Sequence, residues 1–480
     1  MSVLTKVLAE EIRKIEETKF AEADIFPHRL THHLMPPAGW LNDPNGLCYY
    51  KGKYHVFFQY SPFEVKGGLK FWGHYSSEDL VSWIYEGVSL YPDSPMDCHG
   101  VYSGSALAGD DAMHLFYTGN VKLDGDYDYI NNGRITSTLH VESTDGIHFG
   151  VKEEVIPAAQ YPEDYTCHIR DPKVWKEQNQ YHMVLGGRKQ NDQGAVLFYR
   201  SRDLKKWEFD GELTTEKPFG YMWECPDVFK MGGETILSVS PQGVRREEYR
   251  HQNIYLSGYF VMKEGKVREK DFCEWDMGFD FYAPQTFLDQ KGRRILIGWM
   301  GMPDADEEYQ NCTLEEGWQH CLTVPRELKY QNGKIYQYPV EELMNLRRWE
   351  KKLSQEDREV ETEGAFDLEL QLEKGPAKVV LTDVFTLEHR DGILTLTMDE
   401  EAGAGRRNRN ACVEQVKDIR ILADTSAVEI YVNQGEVVFS SRFYGKTRAH
   451  MLKVEAEKFR GGLWKLEKMK VAKATSVKFL

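Results

Sequence analysis

From about residue 35 onward the chain is built of short runs of aromatic and β-branched residues separated by turn residues, a pattern that predicts an all-β body. Five of these runs can be laid over one another: Tyr54 to Tyr60 (YHVFFQY), Met113 to Gly119 (MHLFYTG), Tyr181 to Gly187 (YHMVLGG), Thr235 to Pro241 (TILSVSP) and Arg293 to Trp299 (RRILIGW). Their starts are 59, 68, 54 and 58 residues apart, and each follows an earlier strand and a turn-like connection. A second echo lies outside them, in Ser77 to Trp83 (SEDLVSW), Ser201 to Trp207 (SRDLKKW) and, more weakly, Thr144 to Phe149 (TDGIHF). Units near sixty residues with four short strands each fit the blades of a five-bladed β-propeller, with a large sandwich of accidentally similar hairpins as the alternative.

The repeat fades near residue 335, and the strings FDLELQLE, GILTLTMDE, AVEIYVN and VVFSSRFY then read as half-buried antiparallel strands of a C-terminal β-sandwich. The division expected is a helical segment over 1–30, the propeller over 31–340, a linker over 341–354 and the sandwich over 355–480. The first segment carries charges throughout and lacks the apolar stretch of a signal peptide, so a cytoplasmic protein is expected.

The formal charge of -16 predicts a surface that repels phosphate backbones, which argues against a nucleic-acid partner. No run approaches the ~18 apolar residues of a membrane span. The eight cysteines are evenly spread and form no CxxC or Cys/His array, so reduced thiols are expected and no metal site.

Counting back ten or eleven positions from the start of each run reaches Asp43, Tyr102, Asp171, Glu224 and Tyr282. Innermost propeller strands converge on a central channel, so three carboxylates at one phase are expected to meet there. Their settings are Trp40-Leu41-Asn42-Asp43-Pro44-Asn45-Gly46, Ile169-Arg170-Asp171-Pro172 and Met222-Trp223-Glu224-Cys225-Pro226-Asp227. A carboxyl pair suits glycosidic cleavage, in which one member protonates the leaving oxygen while the other attacks or activates water. The phase alone assigns neither the roles nor the sugar.

Together with Tyr102 to Ser105 (YSGS) and Phe281 to Gln285 (FYAPQ), these strings occur in an order that resembles glycoside hydrolase family 32, the invertase, sucrose-6-phosphate hydrolase and fructan hydrolase family. The resemblance implies a five-bladed propeller joined to a C-terminal β-sandwich, no cofactor, and retaining hydrolysis of a terminal β-fructofuranosyl linkage. By the family's pattern Asp43 is the nucleophile, Glu224 the general acid/base and Asp171 the transition-state stabiliser, with about 5–5.5 Å between the two acting carboxyls.

Asn42, Gln59, Tyr102, Ser103 and Arg170 match the family's substrate-binding positions, and Trp299 matches an apolar wall. The stretch Phe63 to Lys70 departs from the invertases and, with GLK-x-WGH, looks more like the sucrose-6-phosphate hydrolases, which makes Lys66 and Lys70 candidate phosphate ligands. Sucrose, sucrose 6-phosphate and short fructo-oligosaccharides are the expected substrates. The alternatives are a fructosyltransferase, a fructan exo-hydrolase or a non-catalytic carbohydrate-binding propeller. The sandwich is a candidate homodimer surface.

Overall fold

A computed structural model describes residues 2–22, 25–301, 311–445 and 449–474. After an N-terminal helix (Val3–Glu22), five antiparallel sheets follow one another in chain order, and four of them run innermost to outermost with consecutive strands. The innermost strands are Gly39–Tyr50, Val101–Ala108, Tyr165–Glu177, Met222–Met231 and Tyr282–Leu288, which define blades I to V of the propeller. The second strands of blades I to IV each contain one of the five aligned sequence runs, and that of blade V covers all but the first residue of the fifth.

The second sequence echo is a turn between third and fourth strands. In blades I and III, Asp79 and Asp203 accept from the backbone N–H groups two and three residues on, Leu80 and Leu204 take left-handed φ values of 64° and 65°, and each Trp indole donates back to that leucine carbonyl at 3.1 Å. Blade II repeats the turn with Asp145 and a glycine, Gly146, at the left-handed position. Its Phe149 packs edge-on against Phe57 of blade I, and Trp207 packs likewise on Phe116 of blade II, both at 5.8 Å. The turn thus holds blades II and III each against its predecessor.

The ring closes through two short strands inserted in blade V. Trp318–Gln319 pairs in parallel with Gly39 and Trp40 of blade I, and Cys321–Leu322 pairs with the second strand of blade V. The helix packs against blade I through buried Ile12, and its buried Glu16 accepts from the Tyr60 and Tyr85 hydroxyls.

Two six-stranded sheets form the C-terminal sandwich around Leu368, Ile421, Ile430 and Leu396. Two details correct the sequence reading. The segment 341–354, expected as a linker, carries a 3-10 helix (Glu341–Leu346) and a strand (Arg347–Ser354) paired with Phe459–Leu466, because its alternating charged side chains face solvent at a sheet edge. The strand Lys470–Lys473, expected within the sandwich, leaves it and pairs in parallel with the outer strand of blade I.

Propeller and sandwich meet across buried charge. Arg326 of blade V binds Glu429 at 2.5 Å and Asp276 at 3.1 Å, all with side chains fully buried. His33 lies between Asp424 (2.9 Å) and Glu429 (3.0 Å). Burial alone would lower the His33 pKa, but hydrogen bonds to the two carboxylates raise it to about 9. Burial likewise opposes ionisation of Glu429, yet Arg326 and His33 hold it down at about 2. The His33 contribution is complete below its ordinary pKa of 6.5 and fades as pH rises through about 9, whereas that of Glu429 is complete above 4.5 and fades as pH falls through about 2.

Replacing His33 by Ala removes the cation shared by two buried carboxylates and should cost about 3–5 kcal/mol in urea denaturation at pH 4.5 to 6.5. The difference from wild type should shrink toward pH 9, and a constant difference would contradict the assignment of charge to His33.

Candidate active site

Each innermost strand interrupts its pairing at the same height. The unpaired residues are Asn42 and Asp43 in blade I, Ser103 in blade II, Asp171 and Pro172 in blade III, Cys225 and Pro226 in blade IV, and Ala283 and Pro284 in blade V. Proline has no N–H to give a ladder, so it fits where pairing is already lost, and a bulge re-aims the side chains around it. Asp171, Cys225 and Ala283 adopt left-handed φ values of 64°, 47° and 49°. Such backbone is costly for residues other than glycine and persists where the surroundings enforce it. Close packing between blades is part of that enforcement: a Cβ on Gly186 of blade III would stand 2.1 Å from the Trp223 carbonyl oxygen of blade IV.

The three predicted carboxylates come together in the channel. The Cys225 thiol lies between two of them, 3.8 Å from Asp43 Oδ2 and 3.7 Å from Asp171 Oδ2, while the Cys225 N–H donates to Asp171 at 3.0 Å. Ser103 Oγ donates to Asp43 at 2.5 Å. Arg170 links the remaining pair, with Nη2 2.5 Å from Glu224 Oε1 and Nε 3.9 Å from Asp171. The other oxygen of Glu224 accepts from Tyr282 Oη and Gln242 Nε2, both at 2.6 Å. Arg170 also donates to His168, whose pKa burial and the Arg170 charge lower to about 3, so the imidazole is a neutral acceptor.

Burial is the main force on Asp43 and Asp171. It pushes the Asp43 carboxyl above the usual range, helped by the charge of Glu224 and opposed by the Ser103 hydroxyl and Asn42 amide. Asp171 is pushed up to about 7 by burial and by Glu224 and Asp43, against the pull of Arg170 and the Cys225 N–H.

One side of the channel is amide and indole. Trp40 Nε1 donates to Asn42 Oδ1 at 2.9 Å, and Asn42 Nδ2 donates to Gln59 Oε1 at 2.5 Å. Trp299 lies 6.0 Å from Trp40, ring centre to ring centre, and 6.4 Å from Tyr282. Tyr102 is near enough to Arg170 to act on its charge. Of the two candidate phosphate ligands, Lys70 is brought to the pocket, with Nζ 5.2 Å above the Trp40 ring; burial lowers its pKa to about 8 against the attraction of Asp43 and Glu64. Lys66 stays exposed on the loop. Trp223, beside Glu224 in sequence, points away into the core and donates to the Phe219 carbonyl.

Sequence reasoning placed Tyr282 at the right phase without giving it a task, and it missed Cys225 and Gln242 as partners of the acids and His168 as a partner of Arg170. Cys225 follows Glu224 directly, so the signal was present. Gln242 comes from the far end of a second strand, where the aligned runs had already stopped.

Two family models match the chain: Glycosyl hydrolases family 32 N-terminal domain over residues 33–339 and Glycosyl hydrolases family 32 C terminal over residues 385–473. Sucrose-6-phosphate hydrolase of Bacillus subtilis (strain 168) is 39% identical over 488 residues, covering 95% of this chain and 97% of its own length. The corresponding protein of Salmonella typhimurium is 38% identical over 430 residues, covering 86% and 88%. Among solved structures, sucrose-6-phosphate hydrolase from Lactobacillus gasseri superposes with a TM-score of 0.85 at 30% identity, over 95% of this chain and 97% of that one. The Bombyx mori GH32 beta-fructofuranosidase gives 0.81 at 32% identity, over 96% and 99%.

Because the raised Asp171 binds more protons folded than unfolded, it subtracts stability progressively from its ordinary pKa of 3.8 up to about 7. Asp171→Asn should therefore melt higher than wild type at pH 8 and lose that advantage toward pH 4, while turnover falls. A variant that melts lower at pH 8 would contradict the strained, charge-crowded setting described for Asp171.

Proposed function

The chain belongs to glycosyl hydrolase family 32, and on that premise we propose that Asp43, Glu224 and Asp171 carry out a double displacement at the anomeric C2 of a fructosyl unit. The enzyme hydrolyses terminal β-fructofuranosyl linkages. In the first step Asp43 forms a bond to C2 as the bond from C2 to the bridging oxygen breaks, and Glu224 gives that oxygen its proton. In the second step Glu224, now a carboxylate, takes a proton from water; the water oxygen bonds C2 and the Asp43 ester is released, so that fructose leaves with retained configuration.

The observation that carries this reading is the joint position of the three acids around Cys225 and Arg170. Arg170, Tyr282 and Gln242 all donate to Glu224, so the charge it acquires on giving up its proton is met by donors already in place. Asp171 faces the anomeric centre as the positive charge of the oxocarbenium-like state develops. Asn42, Gln59, Ser103 and Tyr102 supply directed hydrogen bonds to the sugar hydroxyls, and Trp299 an apolar face.

The preferred substrate in this reading is sucrose 6-phosphate. It is supported by Lys70, a half-buried lysine whose ammonium lies over the Trp40 ring, and by the relatives whose names specify that activity. A cytoplasmic reaction is part of this reading, since an intracellular sugar phosphate is an anion that does not leak out across a bilayer unaided. Among the described residues no helix is long and apolar enough to cross a membrane.

Two experiments follow. Glu224→Gln should cut kcat on sucrose about 10²–10⁴-fold; on β-fructofuranosyl fluoride, which needs no proton to leave, azide should restore its turnover as the β-fructosyl azide, with retention. Recovery of the α-azide from the Glu224 variant would exchange the two roles. Lys70→Met should reduce kcat/KM for sucrose 6-phosphate about 10- to 100-fold more than for sucrose, and equal losses on both would remove the phosphate preference.

A further inference from the structure

Among the described residues, three buried nitrogens without a hydrogen-bond partner stand together beside the channel: Trp299 Nε1 and both ring nitrogens of His320. His320 is 2% exposed. Its ring meets Trp40 edge-on at 4.3 Å and 86°, and Trp299 edge-on at 5.3 Å and 88°. It occupies the single position between the two closure strands, with a left-handed φ of 71°. Both features are destabilising, and a phenylalanine would give the same edges without unpaired nitrogens.

Gly301 shows where the nitrogens point. A Cβ there would lie 2.1 Å from His320 Nδ1 and 2.3 Å from Trp299 Nε1, so both atoms face one spot above a residue that has no side chain to separate them. The indole nitrogen can only donate, and a neutral imidazole can accept at Nδ1. Burial holds the imidazole neutral, with the charges of Arg442 and Lys70 acting in the same direction.

We infer that His320 is a positioning residue for the fructosyl-transferring site: wedged between Trp40 and Trp299, it fixes the two indole walls of the sugar pocket, and its Nδ1 is the acceptor onto which Trp299 Nε1–H closes when a sugar fills the channel. Through Trp40 the same wedge orients Asn42 and Gln59, which are linked to the indole by hydrogen bonds. No part of this sequence touches the reacting atoms. Its effect is on how tightly the sugar is held. The inference rests on the fructosyl-hydrolase reading and extends it to a residue outside the predicted site.

The test is a double-variant cycle with steady-state kinetics on sucrose and sucrose 6-phosphate. Wild-type turnover is measured first; its absence would sink the fructosyl reading itself. His320→Phe keeps the ring edges and removes the acceptor, and is expected to raise KM about 5- to 30-fold with kcat within about threefold and a melting temperature equal to or above wild type. Trp299→Phe removes the donor, and the double variant should be no worse than the poorer single one. An unchanged KM in His320→Phe, or effects that multiply in the double variant, would overturn the inference. Should His320→Phe fail to fold, His320→Gln carries the test: its amide oxygen can still accept, so KM should stay closer to wild type than in Trp299→Phe, and the reverse order would overturn the assignment.

Discussion

All five innermost strands lose their pairing at one height, and the active site occupies the place where pairing gives way. At one height in every blade the innermost strand skips one or two residues of its ladder, and those residues include Asp43, Ser103 and Asp171, with Glu224 and Tyr282 as the last paired residues before the gap in their blades. Released from the pleat, the side chains turn into the channel. The left-handed backbone at Asp171, Cys225 and Ala283 is the local cost of that turn. Three carboxylates held out of water add an electrostatic cost, visible in the raised pKa of Asp43 and Asp171.

The remainder of the molecule opposes both costs. The Asp-centred turns lock Phe149 and Trp207 onto the preceding blades, and the strands flanking His320 tie blade V to blade I. Outside the ring, Arg326, His33, Glu429 and Asp424 join propeller to sandwich through fully buried charge. The sandwich supplies no residue to the carboxylate cluster described above. Its part is to hold blade V and the start of blade I, on which Tyr282, Trp299 and Trp40 depend.

Much of this could be read from the chain because the repeat is itself a physical record of the blades. The second strands are continuous apolar runs, so their period gave five blades, and a fixed offset from them gave the channel positions of Asp43, Asp171 and Glu224. The Asp-Leu-x-x-Trp echo stood out because one turn geometry needs an acceptor side chain, a left-handed residue and an aromatic at set spacings. What escaped was contributed at other offsets or by single copies. Gln242 lies beyond the aligned run, and His320 sits in an insertion found in one blade only. The strand Arg347–Ser354 escaped because an exposed sheet edge carries charged side chains like those of a linker, and Lys470–Lys473 because its partner, Ser82 to Tyr85, lies near the other end of the chain.

Double displacement through Asp43 is the claim on which the chemistry turns. The most direct measurement is acid quenching of the Glu224→Gln enzyme on β-fructofuranosyl fluoride, whose leaving group needs no proton, followed by proteolysis and peptide mass analysis, with the configuration of the sugar released by wild type recorded by NMR. The account predicts one fructosyl group on the peptide containing Asp43 and β-fructofuranose as the first product. A fructosyl group on another residue, or first release of the α-anomer, would contradict it.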